Sequence, residues 1–340
     1  MKSQNKNNIN EIEKYFENTK YFDIDFSKLR SKSFYASMIN NRNEYYKKYK
    51  KYLDQKEVQN CLICKSKTKK LFLSWKKYKL YECTNCEIIF SNIDLKKFQK
   101  SDFFSNNPLR YKDFHREMVK TFNYRKMQFA NERLNYIKDK IGKITKDFKV
   151  LDYGCGCGYF IDLLRDKKIK ARGIDLDLNA VNFCKDRSLN VSNNDIDAEK
   201  DKSFDLITMF DSIEHFHNPV ETLKIANKKL KKNGYLLAYT PNIRSLSTNF
   251  LGANHNALAV FDHICFFNRK SLNYIAKKTN FRVKSIEYYG LDVKDCLQAL
   301  SSNENFDLVE KLNKFSNILQ QFVDKSELSN SMRIIFQKRN

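Results

Sequence analysis

Three glycines at alternate positions follow a short apolar stretch near the middle of the chain. Residues 150–160 read VLDYGCGCGYF, so the apolar run ends at Asp152 and Gly154, Gly156 and Gly158 follow. Glycine adopts backbone conformations that other residues rarely reach, and it lets peptide N–H groups approach a ligand at the start of a helix. The segment therefore predicts a strand, a tight turn and a helix N-terminus arranged around a bound ligand.

The glycine spacing argues against a dinucleotide fingerprint and in favour of another nucleoside ligand. The pattern G-x-G-x-x-G would place its third glycine at position 159, which is Tyr159 here. Residues 171–175 read ARGID and predict the next strand, with Asp175 at its end. An acid at that position accepts hydrogen bonds from ribose hydroxyls. This order of elements predicts a nucleoside site: a strand, a glycine turn, a helix, a second strand and an acid.

At these residues the chain resembles the class I S-adenosylmethionine-dependent methyltransferases, which hold their cofactor with an acid, a G-x-G-x-G turn and a second acid. The resemblance implies S-adenosylmethionine as cofactor and an α/β fold, with a Rossmann-like, seven-stranded, mostly parallel sheet and helices on both faces. Asp195, in the loop after the third strand, is expected at the adenine amino group, with Asn194 as the alternative. The cofactor-binding residues that the resemblance implies are Asp152, Gly154, Gly156, Gly158, Asp175, Asp195 and Asp211.

Four cysteines ahead of the glycine turn form two C-x-x-C pairs. Cys61 and Cys64 are separated from Cys83 and Cys86 by eighteen residues. This spacing is typical of sites in which two turns each present a thiolate pair to a tetrahedral zinc ion. Short strands predicted over 70–73 and 79–82 would make the unit a zinc ribbon. Because four thiolates leave no open coordination position, we predict a structural Zn²⁺.

The ribbon and the glycine turn together resemble a bacterial family of methyltransferases of polysaccharide and nucleotide-sugar pathways. The shared features are the first C-x-x-C, the second knuckle and the aliphatic-aromatic run Glu87–Phe90. The resemblance implies a sugar hydroxyl as the methyl acceptor. The resemblance covers the ribbon over 58–92, a helical linker over 93–140 and the methyltransferase domain over 141–340, and the residues before it predict an N-terminal helical extension over 1–57.

A second diagnostic segment, SFDLITMFDSIEHF at 203–216, predicts an acidic rim. An apolar strand leads to Asp211 and then to Glu214 and His215, which resembles the F-D-x-I-x-x-x-D-x-x-E-H pattern of the same family. Ligands of open parallel sheets bind beyond the carboxyl ends of the strands, so these residues should share a rim with the glycine turn. We expect Glu214 and His215 to act in catalysis or substrate binding. The alternative is a helix cap and a surface pair.

The next helix, predicted over 220–231, is expected to end at a C-cap formed by Asn233 and Gly234. A strand over 235–240 and a substrate loop over 243–268 should follow.

That loop carries the residue we predict as the general base, His263 in FDHICFF at 261–267. An unperturbed histidine titrates near neutrality, which suits proton removal from an acceptor. Aromatic neighbours should lower its pKa by desolvation, whereas Asp262 would raise it if it faces the ring. His215 and His255 are the competing candidates.

Residues 291–328 predict a helical insertion before the last strand of an antiparallel hairpin. Its apolar spacing suits either a cap over the substrate pocket or a homodimer interface, and both remain open. The apolar positions are Leu297, Leu300, Leu308, Leu312, Phe315, Leu319 and Phe322.

The net charge of +23 raises the question of a nucleic-acid partner, because clustered basic residues release counterions from phosphates. The lysines are instead scattered among abundant Asn, Ile, Tyr and Phe, as an AT-rich coding sequence would produce, and the charge would also favour a small anionic substrate such as a nucleotide sugar. A tRNA or rRNA methyltransferase remains the alternative, and a non-enzymatic nucleotide-binding module is the third possibility. The chain shows neither a membrane span nor the apolar core of a signal peptide, so we expect a cytoplasmic protein.

Overall fold

The computed structural model describes residues 24–339, except 31–33, 55–58, 104–106, 115–117 and 302–305. The strands of this part of the chain are β1 (Lys69–Trp75), β2 (Tyr78–Cys83), β3 (Ile89–Ser91), β4 (Lys149–Tyr153), β5 (Lys170–Ile174), β6 (Val191–Ser192), β7 (Phe204–Phe210), β8 (Leu230–Pro241), β9 (Cys265–Phe266), β10 (Phe281–Tyr288) and β11 (Ser331–Lys338). The earliest part of the predicted N-terminal extension, residues 1–23, lies outside the described residues.

Of the α-helices that the structure describes, one precedes β1, four lie between β3 and β4, and the others follow β4. They are α1 (Phe34–Tyr49), α2 (Leu95–Phe98), α3 (Pro108–Phe114), α4 (Phe122–Arg125), α5 (Asn131–Ile141), α6 (Tyr159–Asp166), α7 (Leu178–Lys185), α8 (Pro219–Lys229), α9 (Leu246–Leu251), α10 (Arg269–Lys278), α11 (Asp292–Ser301), α12 (Phe306–Asn313) and α13 (Ser316–Lys325). A π-helical turn, Lys126–Ala130, joins α4 to α5.

Seven strands form the central sheet in the order β10-β11-β8-β7-β4-β5-β6. The five strands from β4 to β8 are parallel, whereas β11 pairs antiparallel with both β8 and β10. The sheet order reverses beside β4, so the loops after β4 and β7 meet at the carboxyl edge where ligands of such sheets bind. The predicted seven-stranded, mostly parallel α/β fold is confirmed.

Consecutive residues of the central strands belong to two different apolar clusters, one on each face of the sheet. In β7, Ile207 packs in one cluster and Leu206 in the other, and both are fully buried. This is expected when helices cover both faces, because side chains alternate across a strand.

A second sheet, next to the cysteine pairs, has the order β1-β2-β3-β9. The predicted hairpin is present as β1 and β2, which pair from Lys69 and Cys83 to Trp75 and Tyr78. The fourth strand, β9, comes from the loop that was predicted to border the substrate. The ribbon is therefore continuous with that loop, which the spacing of the cysteines did not reveal.

The predicted C-cap at Asn233 and Gly234 is wrong. Helix α8 ends at Lys229, and β8 begins at the next residue. The pairing between β7 and β8 shifts between Phe204 and Leu206, so residues 231–234 form an irregular segment within the strand, where Asn233 takes a positive φ of 61°. The Asn-Gly pair accommodates this bulge instead of ending a helix.

The insertion over 291–328 contains α11, α12 and α13, and its apolar stripe is divided between core and surface. Leu297 is buried, whereas Phe315, Leu319 and Phe322 remain exposed. Among the described residues, no helix has the length and apolar character needed to cross a bilayer.

Candidate active site

The glycine turn between β4 and α6 has the conformation that its sequence predicted. Gly154, Gly156 and Gly158 all take a positive φ, between 53° and 81°. A Cβ atom on Gly158 would lie 2.7 Å from the Cys184 sulfur, whereas one on Gly156 would meet only the Met118 methyl group at 3.8 Å. The turn is thus packed tightly at Gly158 and leaves space above Gly156, where a ligand can reach the backbone.

Asp175 lies directly beside this turn. It follows β5, and its Oδ2 accepts a hydrogen bond from the Gly156 N–H at 2.8 Å while Oδ1 accepts from the Asp177 N–H at 2.9 Å. Burial raises the pKa of Asp175, although these two backbone donors act in the opposite direction. Each oxygen keeps a lone pair for a further donor, as binding to ribose hydroxyls requires.

Asp195 and Asp152 lie at the same edge of the sheet in different surroundings. Asp195 is exposed, and its Oδ1 accepts from the Tyr153 hydroxyl at 2.8 Å and from the Ile196 N–H at 2.7 Å. Asp152 is buried, accepts from the Thr208 hydroxyl at 2.7 Å, and has a pKa raised to about 6 by burial. A direct contact of Asp152 with the cofactor therefore stays a prediction, because its observed partner lies inside the sheet.

The acidic rim after β7 combines one exposed and one buried carboxylate. Asp211 has a φ of 53°, which is unusual for a non-glycine residue, and its side chain is 61% exposed. Glu214 is fully buried. Its Oε2 accepts from the Thr240 hydroxyl at 3.0 Å, while its Oε1 has no hydrogen-bond partner within the described residues. Burial raises the pKa of Glu214 to about 8. An orphaned buried oxygen of this kind indicates a position where a ligand atom binds.

His215 is held by two backbone carbonyl groups. Its Nδ1 lies 2.7 Å from the Asp262 carbonyl oxygen, and its Nε2 lies 3.1 Å from the Asp211 carbonyl oxygen. Carbonyl oxygens only accept, so both ring nitrogens must carry protons to satisfy these contacts. Burial lowers the pKa of His215, but the Asp262 carboxylate outweighs it and raises the pKa to about 9. His215 is therefore a fixed cation and lacks the lone pair that a general base needs.

His263 has the opposite arrangement. Its Nδ1 is 2.9 Å from the Ala257 carbonyl oxygen and donates to it, which leaves the lone pair on Nε2. That nitrogen lies 4.0 Å from the orphaned Oε1 of Glu214. Burial and the neighbouring His215 lower the pKa of His263, Asp262 partly opposes them, and the resulting pKa is about 4. The lowering by burial and the opposing effect of Asp262 agree with the sequence-based expectation.

His255, the third histidine candidate, lies in a buried polar network away from this lone pair. Its Nε2 is 2.9 Å from the Ser247 hydroxyl and its Nδ1 is 3.1 Å from the Thr248 hydroxyl. The Ser247 hydroxyl in turn donates to Asp292 at 2.6 Å, which ties the loop to the helical insertion. Only 1% of the surface of His255 is exposed. Its side chain therefore supports the loop and is not placed to take a proton from a methyl acceptor.

Glu214, His215 and His263 also lie within 4.8 Å of one another, close enough to ligate one metal ion. Ligation through His215 would require one of its nitrogens to leave a carbonyl partner and lose a proton. The arrangement in the structure instead suits an acid, a base and a fixed cation.

A polar cavity of about 240 Å³ opens beside His263 and Glu214. Arg30 from the N-terminal extension and Asp295 from α11 form an ion pair on its wall, so the insertion does border the cavity. The lining residues are Arg30, Asp211, Glu214, Pro241, Asn256, Ala257, His263, Leu291, Asp295, Asn330 and Ser331.

Sequence reasoning missed two arginines at this rim, one buried and one half-buried. Arg133 from α5 lies 3.3 Å from Asp211 and also donates to the hydroxyl of Tyr159, the first residue of α6. Arg110 from α3 pairs with Asp262 at 2.5 Å. The signal for Arg133 was available, because Ala130 and Ile137, three residues before it and four residues after it, are buried. A charged residue on an apolar helical face has to meet a partner inside the protein.

The four cysteines predicted as metal ligands come together at the base of the ribbon. Cys61 and Cys86 have sulfur atoms 3.4 Å apart, as do Cys64 and Cys83, and all four lie within 4.8 Å of one another. Tetrahedral zinc with bonds of 2.3 Å would place its sulfur ligands about 3.8 Å apart. The cluster therefore fits a structural zinc ion.

Comparison with known proteins places this geometry in a family. A family model described as a methyltransferase domain matches residues 73–286, more than half of the chain. The chain belongs to this methyltransferase family. The matched region runs from the ribbon hairpin through the glycine turn and the rim into β10, so it contains Asp175, Glu214 and His263 but not Arg30, Cys61, Cys64 or the cavity residues from Leu291 onward.

Among similar proteins is the ubiquinone biosynthesis O-methyltransferase of Leptothrix cholodnii, 25% identical over 120 residues, which cover 32% of this chain and 51% of that protein. The enzyme of the same name from Pelagibacter ubique is 24% identical over 205 residues, which cover 54% and 85%. The methyltransferase chain spans about half the length of the first relatives that it matches. A solved S-adenosylmethionine-dependent methyltransferase from Archaeoglobus fulgidus is 19% identical, with a TM-score of 0.46 over 68% of this chain and 100% of that one.

Proposed function

We propose that the protein transfers a methyl group from S-adenosylmethionine to a hydroxyl group of a polar small molecule, with a sugar derivative as the preferred acceptor. The observation that carries the proposal is the free lone pair of His263 Nε2 beside the orphaned Oε1 of Glu214, at the wall of a polar cavity. A hydroxyl group placed between them would find a base for its proton.

The residues around the glycine turn would hold the cofactor. Asp175 would accept from the ribose hydroxyls, and the space above Gly156 would admit the nucleoside to the backbone. Arg133 is a buried cation beside Asp211 and the start of α6, which suits the carboxylate of the methionyl group. When bound, S-adenosylmethionine supplies an electrophilic methyl group to an attacking oxygen.

The chain's own residues would align the acceptor and take its proton. The Ala257 carbonyl accepts from His263 Nδ1 and leaves Nε2 to take the proton, 4.0 Å from Oε1 of Glu214. The ring of His215 is fixed by the backbone carbonyls of Asp262 and Asp211, and it would maintain the shape of the rim. Alignment and proton removal are the contributions that a protein makes to a displacement of this kind.

The lining of the cavity favours a sugar over an apolar acceptor. Asn256, Asp295 and Asn330 are among its lining residues, and a polar lining suits the several hydroxyl groups of a sugar. The relatives are named for ubiquinone biosynthesis, so a catechol is the necessary comparison. Mass spectrometry of a panel of nucleotide sugars, free sugars and catechols should show a methylated sugar, whereas methylation of catechols alone would contradict the preferred acceptor.

Replacing Asp175 with alanine should weaken the binding of S-adenosylmethionine about fivefold to 150-fold. The two ribose hydroxyls would lose their acceptor, which costs about 1 to 3 kcal/mol. Titration calorimetry measures this change, and Asp186→Ala on the exposed end of α7 provides a carboxylate control. Equal affinity of the Asp175 variant and the wild-type protein would remove Asp175 from the site.

The pH dependence of methyl transfer should reveal which group is the base. Because the pKa of His263 is lowered to about 4, its active neutral form persists at about pH 5.5 and the rate there should remain near its neutral value. A histidine with an ordinary pKa would be only about one-tenth neutral at that pH. A fall in rate below about pH 8 would instead assign the base to Glu214, whose raised pKa keeps it protonated until that point.

A further inference from the structure

The cysteine ribbon is joined to the segment that carries His263 by a continuous ladder of backbone hydrogen bonds. Strand β3 begins three residues after the ligand Cys86 and pairs with β9, where Ile89 faces Phe266 and Phe90 faces Cys265. The next hydrogen bond joins Ser91, which follows Phe90, to Ile264, which precedes Cys265. In it the Ser91 N–H donates to the Ile264 carbonyl at 3.0 Å. The ladder therefore ends on the residue that follows His263.

Ile264 connects this ladder to the catalytic rim. Its carbonyl accepts from the ribbon, and its own N–H donates to the Glu214 carbonyl at 2.9 Å. The hydroxyl of Tyr78, from β2, donates to the carbonyl of His263 itself at 3.3 Å. Both candidate catalytic residues thus have backbone contacts that lead directly to the ribbon.

The two cysteine knuckles also hold the helix that follows β9. Glu87, next to Cys86, accepts from Asn268 at 3.1 Å and pairs with Lys270 at 2.9 Å at the start of α10. At the other end of the helix, Lys278 donates to the Ile63 carbonyl, between Cys61 and Cys64, at 3.2 Å. The short segment of His263 is therefore fixed to the ribbon through β9 itself and through the helix that follows it.

The glycine turn has a different support. Its hydrogen bonds run to β5 and Asp175, and its glycines pack against Ser212, Cys184 and Leu189. None of these residues belongs to the ribbon.

We propose that the metal-bound ribbon positions the His263 segment for catalysis and has little influence on cofactor binding. Tyr78 is a positioning residue that acts through the His263 backbone. The proposal rests on the proposed function for its catalytic part, whereas its structural part stands on the contacts alone.

Hydrogen–deuterium exchange of the full-length wild-type protein tests the structural part. Zinc is removed with a chelator and then restored, and exchange is followed in peptides covering the ribbon, residues 257–267 and residues 150–160. Zinc removal should accelerate exchange in the ribbon and in 257–267 at least tenfold, leave 150–160 within about twofold, and be reversed when zinc is restored. Unchanged exchange in 257–267 would overturn the proposal, as would equal acceleration in 150–160 or a purified protein that contains no zinc.

Tyr78→Phe tests the catalytic part without disturbing the cysteines. Loss of the hydroxyl should lower kcat about threefold to tenfold and leave the Kd of S-adenosylmethionine within about twofold. Tyr46→Phe is the matched control, because the Tyr46 hydroxyl contacts the neighbouring Lys77 N–H and not the His263 segment, so its kcat should not change. Equal kcat values for Tyr78→Phe and Tyr46→Phe would overturn the role of Tyr78. If the wild-type protein transfers no methyl group, the proposed function fails, and the exchange measurement still decides the coupling.

Discussion

Replacing His263 with alanine should reduce the turnover of methyl transfer about a hundredfold to ten-thousandfold while S-adenosylmethionine binds as before. This is the usual contribution of a positioned general base. The expectation rests on the Nε2 lone pair, which is left to take the proton because Nδ1 is committed to the Ala257 carbonyl. Single-turnover kinetics with a methylated sugar as product would measure it, with calorimetry to verify cofactor binding.

Two further variants distinguish the loss of the His263 Nε2 lone pair from the loss of side-chain packing. Asparagine at position 263 can keep a donor toward Ala257 but has no equivalent of Nε2, so His263→Asn should be as inactive as the alanine variant. His215→Ala removes a cation that is fixed between carbonyls, and we expect a smaller loss. If His263→Ala turned over at a near-normal rate and His215→Ala did not, the base would be His215.

Replacing Cys83 with serine should abolish stoichiometric zinc binding and unfold the ribbon locally. Structural zinc sites contribute on the order of 10 kcal/mol of binding free energy in isolated zinc fingers, and this energy is coupled to folding. Elemental analysis should find about one zinc per wild-type chain and almost none in the variant, with a lower melting temperature. Cys296→Ser, outside the cluster, should retain the metal. If wild-type protein purified without chelators contained no zinc, this result would contradict the assignment of the four cysteines as a zinc site.

The glycine turn, Asp175 and the cysteine cluster were predictable because their chemistry is local. A positive φ requires glycine at Gly158, the end of a strand brings Asp175 to the turn, and the spacing of two C-x-x-C pairs defines a tetrahedral site. Each of these features depends on a few consecutive residues, so a short pattern is enough to find it.

The roles of the three histidines depend on contacts between distant parts of the chain, and sequence patterns do not reveal these. His215 is held by the carbonyl of Asp262, 47 residues away, and Arg133 reaches Asp211 across 78 residues. The same limitation explains why β9 was not foreseen, since a two-residue strand has no pattern of its own. Its partner is set by the packing of the ribbon on the methyltransferase domain.

The choice among nucleoside ligands is tested most directly by titrating the purified wild-type protein with S-adenosylmethionine, and with NAD as the comparison. We expect saturable one-to-one binding of S-adenosylmethionine, competition by S-adenosylhomocysteine, and no binding of NAD, because Tyr159 replaces the third glycine of a dinucleotide turn. Binding of NAD in the absence of any binding of S-adenosylmethionine would contradict the methyltransferase function.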